Sequence, residues 1–272
     1  MKNLFQRSVT GALFVILVYG TLFAGSITFL VFYLALSILS LLEFYKHKEN
    51  EGFRVQKFTA LFASIILFVF LHGYASGSLP LRWLSLLMLF PPVMMIKELY
   101  RQDKKCFDNL AVTFYGIIYI AVPFSLLNFL VFPGAPHSTY TPAVLAGVLI
   151  LIMVNDTAAY LIGVPLGRHR LFKSVSPKKS WEGTIGGGIV VIFAALFMNP
   201  VFPLLGRAEW LGTAIIVVVF GVYGDLVESL FKRKLGIKDT GKILPGHGGV
   251  LDRVDAWLFV IPVIWVYFNF IS

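Results

Sequence analysis

Charged residues and cysteine are both scarce in this chain of 272 residues. Only 14% of the residues are charged, against about a quarter in soluble globular proteins, and the mean hydropathy is +0.82. The single cysteine, Cys106, excludes a disulfide and a thiolate metal site within one chain. This composition excludes an ordinary soluble domain and predicts an integral membrane protein.

Several common functional motifs are also missing. The sequence contains no GxxxxGK[ST] phosphate-binding loop, no dinucleotide-binding glycine fingerprint and no HExxH zinc motif. Any nucleotide is therefore bound without a P-loop. No linker, repeat or low-complexity tract divides the chain, so we predict a single transmembrane domain over residues 1–272, with its chemistry concentrated in residues 150–256.

Long apolar runs predict an all-α polytopic bundle of about nine transmembrane helices, each near the ~20 residues that cross a bilayer. The runs are continuously apolar rather than alternating, which excludes a β-barrel. Pro91 and Pro92 would kink the fourth span. A cleaved signal peptide is an alternative for the first span. The runs cover residues 9–24, 27–43, 58–72, 80–96, 110–132, 143–166, 185–199, 210–227 and 254–271.

The basic residues predict the orientation. With nine spans and a cytoplasmic N-terminus, all of the 23 basic residues except Arg82 and Arg207 fall on the cytoplasmic side, and the C-terminus is external. The net charge of +9 then faces the cytoplasm, where it can meet anionic headgroups or an anionic soluble substrate. For the loops at 46–57 and 97–105, the simpler interpretation is a topology signal alone.

Paired carboxylates are the first candidate site. Asp225 and Glu228 are three residues apart at the end of the eighth span, and Asp252 and Asp255 repeat that spacing at the start of the ninth. With Asp239 in the loop between them, they form an oxygen-rich set that suits a hard cation such as Mg²⁺. The alternative is that these acids pair with nearby basic residues, namely Lys232, Arg233 and Arg253.

An acid inside an apolar helix is a second candidate. Asp156 lies twelve residues before Arg168, roughly 18 Å deeper along a straight helix. At such a depth an acid faces the bundle interior or a water-filled cavity. Asn155 beside it points to a different face and suggests a helix contact.

Two loops supply groups that attract phosphate. The segment SPKKSWEG at 176–183 contains Lys178 and Lys179, whose ammonium groups act as compact positive charges. In the segment KDTGKILPGHGGVLDRVD at 238–255, three glycines permit positive φ and close approach of backbone amides to an anion. His247 between them has the capacity to donate to a phosphate oxygen. The glycines are Gly246, Gly248 and Gly249.

The sequence resembles a known family at these same positions. Ser229 to Arg233, Lys238–Asp239, Pro245 to Gly249 and Asp252 to Asp255 look like the signature of phosphatidate cytidylyltransferases. The likeness extends to NDTAAY at 155–160, to SPKKSWEG, where Ser180 stands at a place often held by threonine, and to GDLVES at 224–229. The first 140 residues resemble the family only in hydropathy.

The resemblance implies transfer of CMP from CTP to phosphatidate at a membrane, with pyrophosphate released and with Mg²⁺ as cofactor; a second cation is left open. The substrates are CTP and phosphatidate, nucleic acid is not a partner, and a homodimer is left open. In a bacterium the chain would lie in the inner or plasma membrane with its active site facing the cytoplasm. A CTP-dependent lipid kinase and an ion-coupled transporter remain as alternatives.

The site residues follow from the resemblance and from the patterns above. The metal ligands would be Asp225 and Asp252, with Asp255 and Asp239 as further candidates. The catalytic set is Asp225, Asp252, Asp255, Lys178 and Lys179. The substrate-binding set is Lys232, Arg233, Lys238, His247, Gly248, Gly249, Arg253, Asn155 and Asp156.

Overall fold

A computed structural model describes the backbone of residues 2–241, 243–246 and 248–271, and the side chains of these residues from Ser8 onward. Helices dominate the described chain. The helices are α1 (Lys2–Ala24), α2 (Ser26–Asn50), α3 (Lys57–Ala75), α4 (Phe90–Arg101), α5 (Cys106–Gly116), α6 (Val122–Val131), α7 (Ala143–Leu166), α8 (Trp181–Ala195), α9 (Met198–Val201), α10 (Arg207–Lys234) and α11 (Leu251–Ile271). A π-helical turn at Ile117–Ala121 joins α5 to α6, and the strands β1 (Arg170–Phe172) and β2 (Ser176–Ser180) pair antiparallel.

Helices cover most of each of the nine apolar runs, because a helix satisfies its own backbone polar groups where lipid offers no partners. A turn at 196–197 interrupts the run at 185–199. Within the described residues, seven helical stretches are long and apolar enough to cross a bilayer. The stretches Ser8–Ala24 and Trp181–Ala195 are apolar but shorter. The protein is therefore an all-α integral membrane protein, and the count of nine stays a prediction. The seven are Ser26–Asn50, Lys57–Ala75, Leu81–Arg101, Cys106–Val131, Ala143–Leu166, Arg207–Lys234 and Leu251–Ile271.

The two adjacent prolines start a helix. Residues Leu81–Leu89 form a 3₁₀ helix, and α4 begins at Phe90 with Pro91 and Pro92 in its first turn. Proline is favoured there because the first turn needs no backbone N–H donor. The change from 3₁₀ to α geometry therefore coincides with the prolines that the sequence marks as a break.

The chain divides into two compact units, and the one-domain interpretation of the sequence stays a prediction. The first unit contains Met1–Tyr140 and Asp239–Arg253, and the second contains Thr141–Lys238 and Val254–Ser272. Aromatic side chains fill the core of the first unit. Phe29 and Tyr33 are fully buried with ring centroids 4.6 Å apart, and Phe68 lies 6.2 Å from Phe29.

Small residues bring α7 and α8 together in the second unit. A Cβ atom on Gly183 would lie 2.7 Å from the carbonyl oxygen of Ala159, and one on Gly187 would lie 2.9 Å from the Ala159 nitrogen. Larger side chains would force the helices apart. Small residues four positions apart are typical of closely packed membrane helices, and Gly183 and Gly187 serve that packing here.

Candidate active site

The carboxylates of the second unit converge. Asp225 and Glu228 lie one turn apart on α10, and Asp255 lies near the start of α11. One carboxylate oxygen of each lies within 4.8 Å of the other two. Glu228 is 1% exposed, whereas Asp225 and Asp255 are half-buried. Three acids at this separation repel one another, and an oxygen-only ligand set is the kind that Mg²⁺ prefers, so these residues fit a magnesium ion.

Basic and hydroxyl groups surround this acid cluster, by which we mean Asp225, Glu228 and Asp255. The Nζ atom of Lys179 lies 2.5 Å from Oδ2 of Asp225, and the Ser229 hydroxyl donates to Oδ1 of Asp225 at 3.2 Å. Lys232, one turn after Glu228, forms an ion pair with it. The alternative that these acids pair with nearby basic residues therefore holds for Glu228.

The β-hairpin places Lys179 at the cluster. Lys179 is on β2, and the next residue, Ser180, pairs with Arg170 of β1. Ser180 then ends the strand and caps α8, because its Oγ accepts the N–H of Gly183 at 3.2 Å. The motif SPKKSWEG is thus a strand followed by a helix start, with Lys178 exposed on the same strand.

Glu182 fixes the turn that leaves α7. Its carboxylate accepts the backbone N–H groups of Arg168 and His169, both at 3.1 Å, and lies 2.6 Å from Nδ1 of His169. The hydrogen bond from its own backbone N–H, followed by those from His169 and Arg168, lowers the pKa of the Glu182 carboxyl to about 2. The acid therefore remains ionised and holds the backbone beside the hairpin.

The adjacent polar residues of α7 have different surroundings. Asn155 is 2% exposed, and its amide nitrogen approaches Gly221 of α10, which agrees with the predicted helix contact. Asp156 is exposed, and its charge interacts with that of Asp255.

In the first unit, Asp252 holds the glycine-rich loop. Its Oδ2 atom accepts the backbone N–H groups of Thr240 at 2.9 Å and Gly249 at 2.8 Å. Gly248 has φ +88°, and a Cβ atom there would lie 2.5 Å from Oδ2 of Asp252, so the loop requires glycine at this position. The expected positive φ is also present at Gly246, at +77°.

Glu43 is a site residue that the sequence interpretation missed. It is 5% exposed in α2, and its carboxylate accepts the backbone N–H groups of Val250 at 3.1 Å and Leu251 at 2.9 Å. The Thr240 hydroxyl also lies 3.4 Å from it. Nearby, the imidazole Nε2 of His47 lies 2.6 Å from the Thr240 carbonyl oxygen. The only feature of the sequence that could have indicated this role is that Glu43 is an acid at the end of the apolar run at 27–43.

The remaining predicted site residues lie at the surface or outside the described chain. His247 lies outside the described residues. Arg233 donates through Nε to the carbonyl oxygen of Val175, which precedes β2, at 3.3 Å. The exposed predicted residues are Lys178, Arg233, Lys238, Asp239 and Arg253. The metal roles of Asp239 and Asp252 and the substrate roles of the basic residues stay predictions.

Several known proteins that are similar to this chain over nearly its whole length have the same name. The phosphatidate cytidylyltransferase of Staphylococcus saprophyticus is 30% identical over 264 residues, covering 95% of this chain and 96% of that protein. Those of Staphylococcus aureus strain COL and Bacillus subtilis strain 168 are each 29% identical, over 95% and 97% of this chain and 96% and 97% of theirs. A family model described as the cytidylyltransferase family matches residues 5–271, and the chain belongs to that family.

Proposed function

We propose that this protein transfers CMP from CTP to phosphatidate, giving CDP-diacylglycerol and pyrophosphate. The observation that carries the proposal is the acid cluster with Lys179 against Asp225, in a membrane protein of the cytidylyltransferase family. A charged site on apolar helices suits a reaction between a soluble triphosphate and a lipid headgroup. The named relatives, which match nearly the whole chain, point to the same reaction.

Asp225, Glu228 and Asp255 would hold Mg²⁺, with a second cation as a further possibility for the site. When bound, the ion would supply positive charge that offsets the charge of the triphosphate and of the departing pyrophosphate. The support is the oxygen-only donor set and the mutual repulsion of three acids within 4.8 Å. Asp252 and Asp239 remain proposed ligands from the family resemblance.

The reaction requires mainly that CTP and phosphatidate are correctly positioned. A phosphate oxygen of phosphatidate attacks the α-phosphorus of CTP, the bond from that phosphorus to the bridging oxygen breaks, and pyrophosphate leaves with the bonding electrons. The nucleophile is already an anion, so no strong general base is required. The contribution of the chain is to orient the reactants and to screen their repulsion with Lys178, Lys179, Lys232, Arg233 and Arg253.

A CTP-dependent lipid kinase is the second candidate, because it needs the same metal-bound triphosphate. The test uses purified protein with CTP labelled in either the α- or the γ-phosphate. We expect α-label in the lipid fraction and γ-label in pyrophosphate. Lipid carrying γ-label and no α-label would overturn the proposal in favour of the kinase. No transfer to any phosphorylated or hydroxylated lipid would overturn it in favour of an ion-coupled transporter.

We further propose nine spans, with the N-terminus and the active site on the cytoplasmic side and the C-terminus outside. The support is the distribution of basic residues and the apolar character of the shorter helices Ser8–Ala24 and Trp181–Ala195. In a bacterium the membrane would be the inner or plasma membrane. A homodimer is kept as an alternative to a monomer, and light scattering from the solubilised protein decides between them.

A further inference from the structure

A groove of about 980 Å³ lies where the end of α7, the hairpin and the start of α8 meet in the second unit. Ile162 on α7 and Ile185 and Ile189 on α8 provide apolar walls. Arg168 and Lys173, which follow α7, line the same groove. Ile189 is eight residues after the start of α8, so the apolar wall extends about 12 Å along the helix from the basic end.

The walls of this groove are exposed apolar side chains on membrane helices. Ile185 is 58% exposed and Ile189 is 64% exposed, although α8 is buried on its glycine face against α7. Trp181, the first residue of α8, also lines the groove and is 52% exposed. Tryptophan is enriched at the headgroup level of a bilayer. The groove therefore has the polarity profile of a lipid, from a basic end through an aromatic residue to an apolar channel.

The basic end favours a phosphate with more than one negative charge. Glu182 is the acidic residue that lines the groove, and its carboxylate is occupied by the N–H groups of Arg168 and His169. The basic residues Arg168 and Lys173 line the same space. A phosphomonoester carries close to two negative charges near neutral pH. A zwitterionic headgroup has no net charge, because its ammonium group balances its phosphodiester. Charge complementarity therefore selects a phosphomonoester lipid over the neutral bulk lipids.

The groove and the acid cluster are joined by one hairpin. Arg170 of β1 lines the groove and is paired with Ser180 of β2. The residue before Ser180 is Lys179, whose ammonium group lies 2.5 Å from Asp225. Directly paired residues of an antiparallel hairpin are about 5 Å apart, so Arg170, Ser180 and Lys179 connect the groove to the acid cluster through the backbone of one hairpin.

We propose that this groove holds phosphatidate, with its phosphate at Arg168 and Lys173 and one acyl chain along Ile162, Ile185 and Ile189. The proposal rests on the proposed function and specifies where its lipid substrate binds. Arg170 of β1 lines the same groove, and its pairing partner Ser180 directly follows Lys179, the residue at Asp225. The hairpin thus has two roles, since Arg168 and Lys173 flank β1 at the groove and β2 carries Lys179 to the acid cluster.

A binding test that needs no catalysis separates this proposal from the proposed function. Full-length protein in phosphatidylcholine nanodiscs, without CTP, is photolabelled with phosphatidate that carries a diazirine in one acyl chain. We expect label on peptides that contain Ile162, Ile185 or Ile189. Unlabelled phosphatidate should compete at least about tenfold better than the same mole fraction of added phosphatidylethanolamine, because only the former has a phosphomonoester. Equal competition would overturn the proposal and leave the groove as an ordinary lipid-facing surface.

Matched variants test the two ends of the groove. Arg168→Gln should raise the KM for phosphatidate about tenfold, while kcat and the KM for CTP stay within about twofold. Arg207→Gln is the control, because Arg207 begins α10 and the acid cluster lies toward the other end of that helix; it should change none of the three constants. Ile189→Gln should weaken acyl-chain labelling, whereas Ile192→Gln, on the same helix outside the groove, should not. A rise in the KM for CTP alone on Arg168→Gln would assign the basic end to the nucleotide and overturn the proposal.

Failure of the proposed function gives a different pattern. Selective photolabelling without any transfer of CMP would reject the cytidylyltransferase activity and keep the groove as a phosphatidate site. Transfer of CMP with unselective labelling would do the reverse. Photolabelling therefore tests the groove, CMP transfer tests the activity, and the failure of one can be told from the failure of the other.

Discussion

The Oε2 atom of Glu43 in α2 accepts the backbone N–H of Leu251, the first residue of α11, at 2.9 Å across 208 positions of sequence. Its Oε1 atom accepts the N–H of Val250 at 3.1 Å. The first N–H groups of a helix have no partner within the helix, and a negative charge there is favoured by the helix dipole. Glu43 therefore orders the turn from which Asp252 projects.

Replacing Glu43 tests this clamp. Glu43→Gln should lower the free energy of unfolding by about 1–3 kcal/mol, because one buried N–H group then faces an amide that cannot accept from it. The midpoint of thermal unfolding in detergent measures the loss. If Glu43 positions the loop for the reaction, kcat should also fall in the folded variant at temperatures well below that midpoint, while the KM for phosphatidate stays constant.

Glu51→Gln is the matched control for Glu43. Glu51 forms a surface ion pair with Lys48 at 2.7 Å, and such pairs contribute about 0–1 kcal/mol. We expect its midpoint and its kcat to remain close to those of the original chain. A Glu43→Gln protein that behaved like Glu51→Gln would show that the buried carboxylate is dispensable.

Repulsion within the acid cluster predicts that removing one of its acids stabilises the protein when no cation is bound. Without a cation, Asp255→Asn should raise the midpoint of thermal unfolding, because it removes one of three like charges within 4.8 Å. Mg²⁺ should stabilise the original chain but not the variant, since a ligand stabilises only the state that binds it. CMP transfer should fall at least about 100-fold.

Asp103→Asn is the control for that comparison. Asp103 lies between α4 and α5, where its carboxylate is 3.6 Å from Arg54. Removing its charge should leave both the Mg²⁺ response and the activity unchanged. Equal stabilisation by Mg²⁺ of the original chain and of Asp255→Asn would remove Asp255 from the metal site.

Acid should release the turn that Glu182 holds. The pKa of Glu182 is lowered from its ordinary 4.5 to about 2, so its stabilising contribution is complete above pH 4.5 and is lost as the pH falls toward 2. The difference in thermal midpoint between the original chain and Glu182→Gln should therefore be largest near pH 5 and shrink by pH 3. A difference in thermal midpoint that grew on acidification would contradict a lowered pKa for Glu182.

The sequence predicted the helices well because apolar runs in a bilayer have few alternatives to helical structure. It also predicted that Asp225 and Glu228 share a face, since spacing along a helix is a local property. It did not predict the hairpin, whose strands have only three and five residues and show no usable periodicity. Nor did it predict Glu43, because its partners lie 207 and 208 positions away and only tertiary structure brings them together.

Reporter fusions separate nine spans from seven. With a cytoplasmic N-terminus, nine spans place an insertion near Lys104 in the cytoplasm and a fusion after Ser272 outside. If Ser8–Ala24 and Trp181–Ala195 do not cross, seven spans keep the C-terminal end outside but move Lys104 outside as well. The positive-inside pattern favours the first result. Two cytoplasmic signals would disagree with both counts.

Asp252 is the residue for which a structural role and a metal role give opposite outcomes. Its Oδ2 atom accepts the N–H groups of Thr240 and Gly249, and an asparagine in the same rotamer retains that oxygen as an acceptor. Asp252→Asn should therefore fold with a thermal midpoint near that of the original chain, whereas Asp252→Ala leaves two N–H groups without their acceptor and should lower it. If Asp252 also binds metal, Asp252→Asn loses an anionic ligand, and turnover at limiting Mg²⁺ should fall at least about 100-fold despite the intact loop. A folded Asp252→Asn protein with near-normal turnover would show that Asp252 holds the loop and does not bind the metal, whose proposed ligands would then be those of the acid cluster alone.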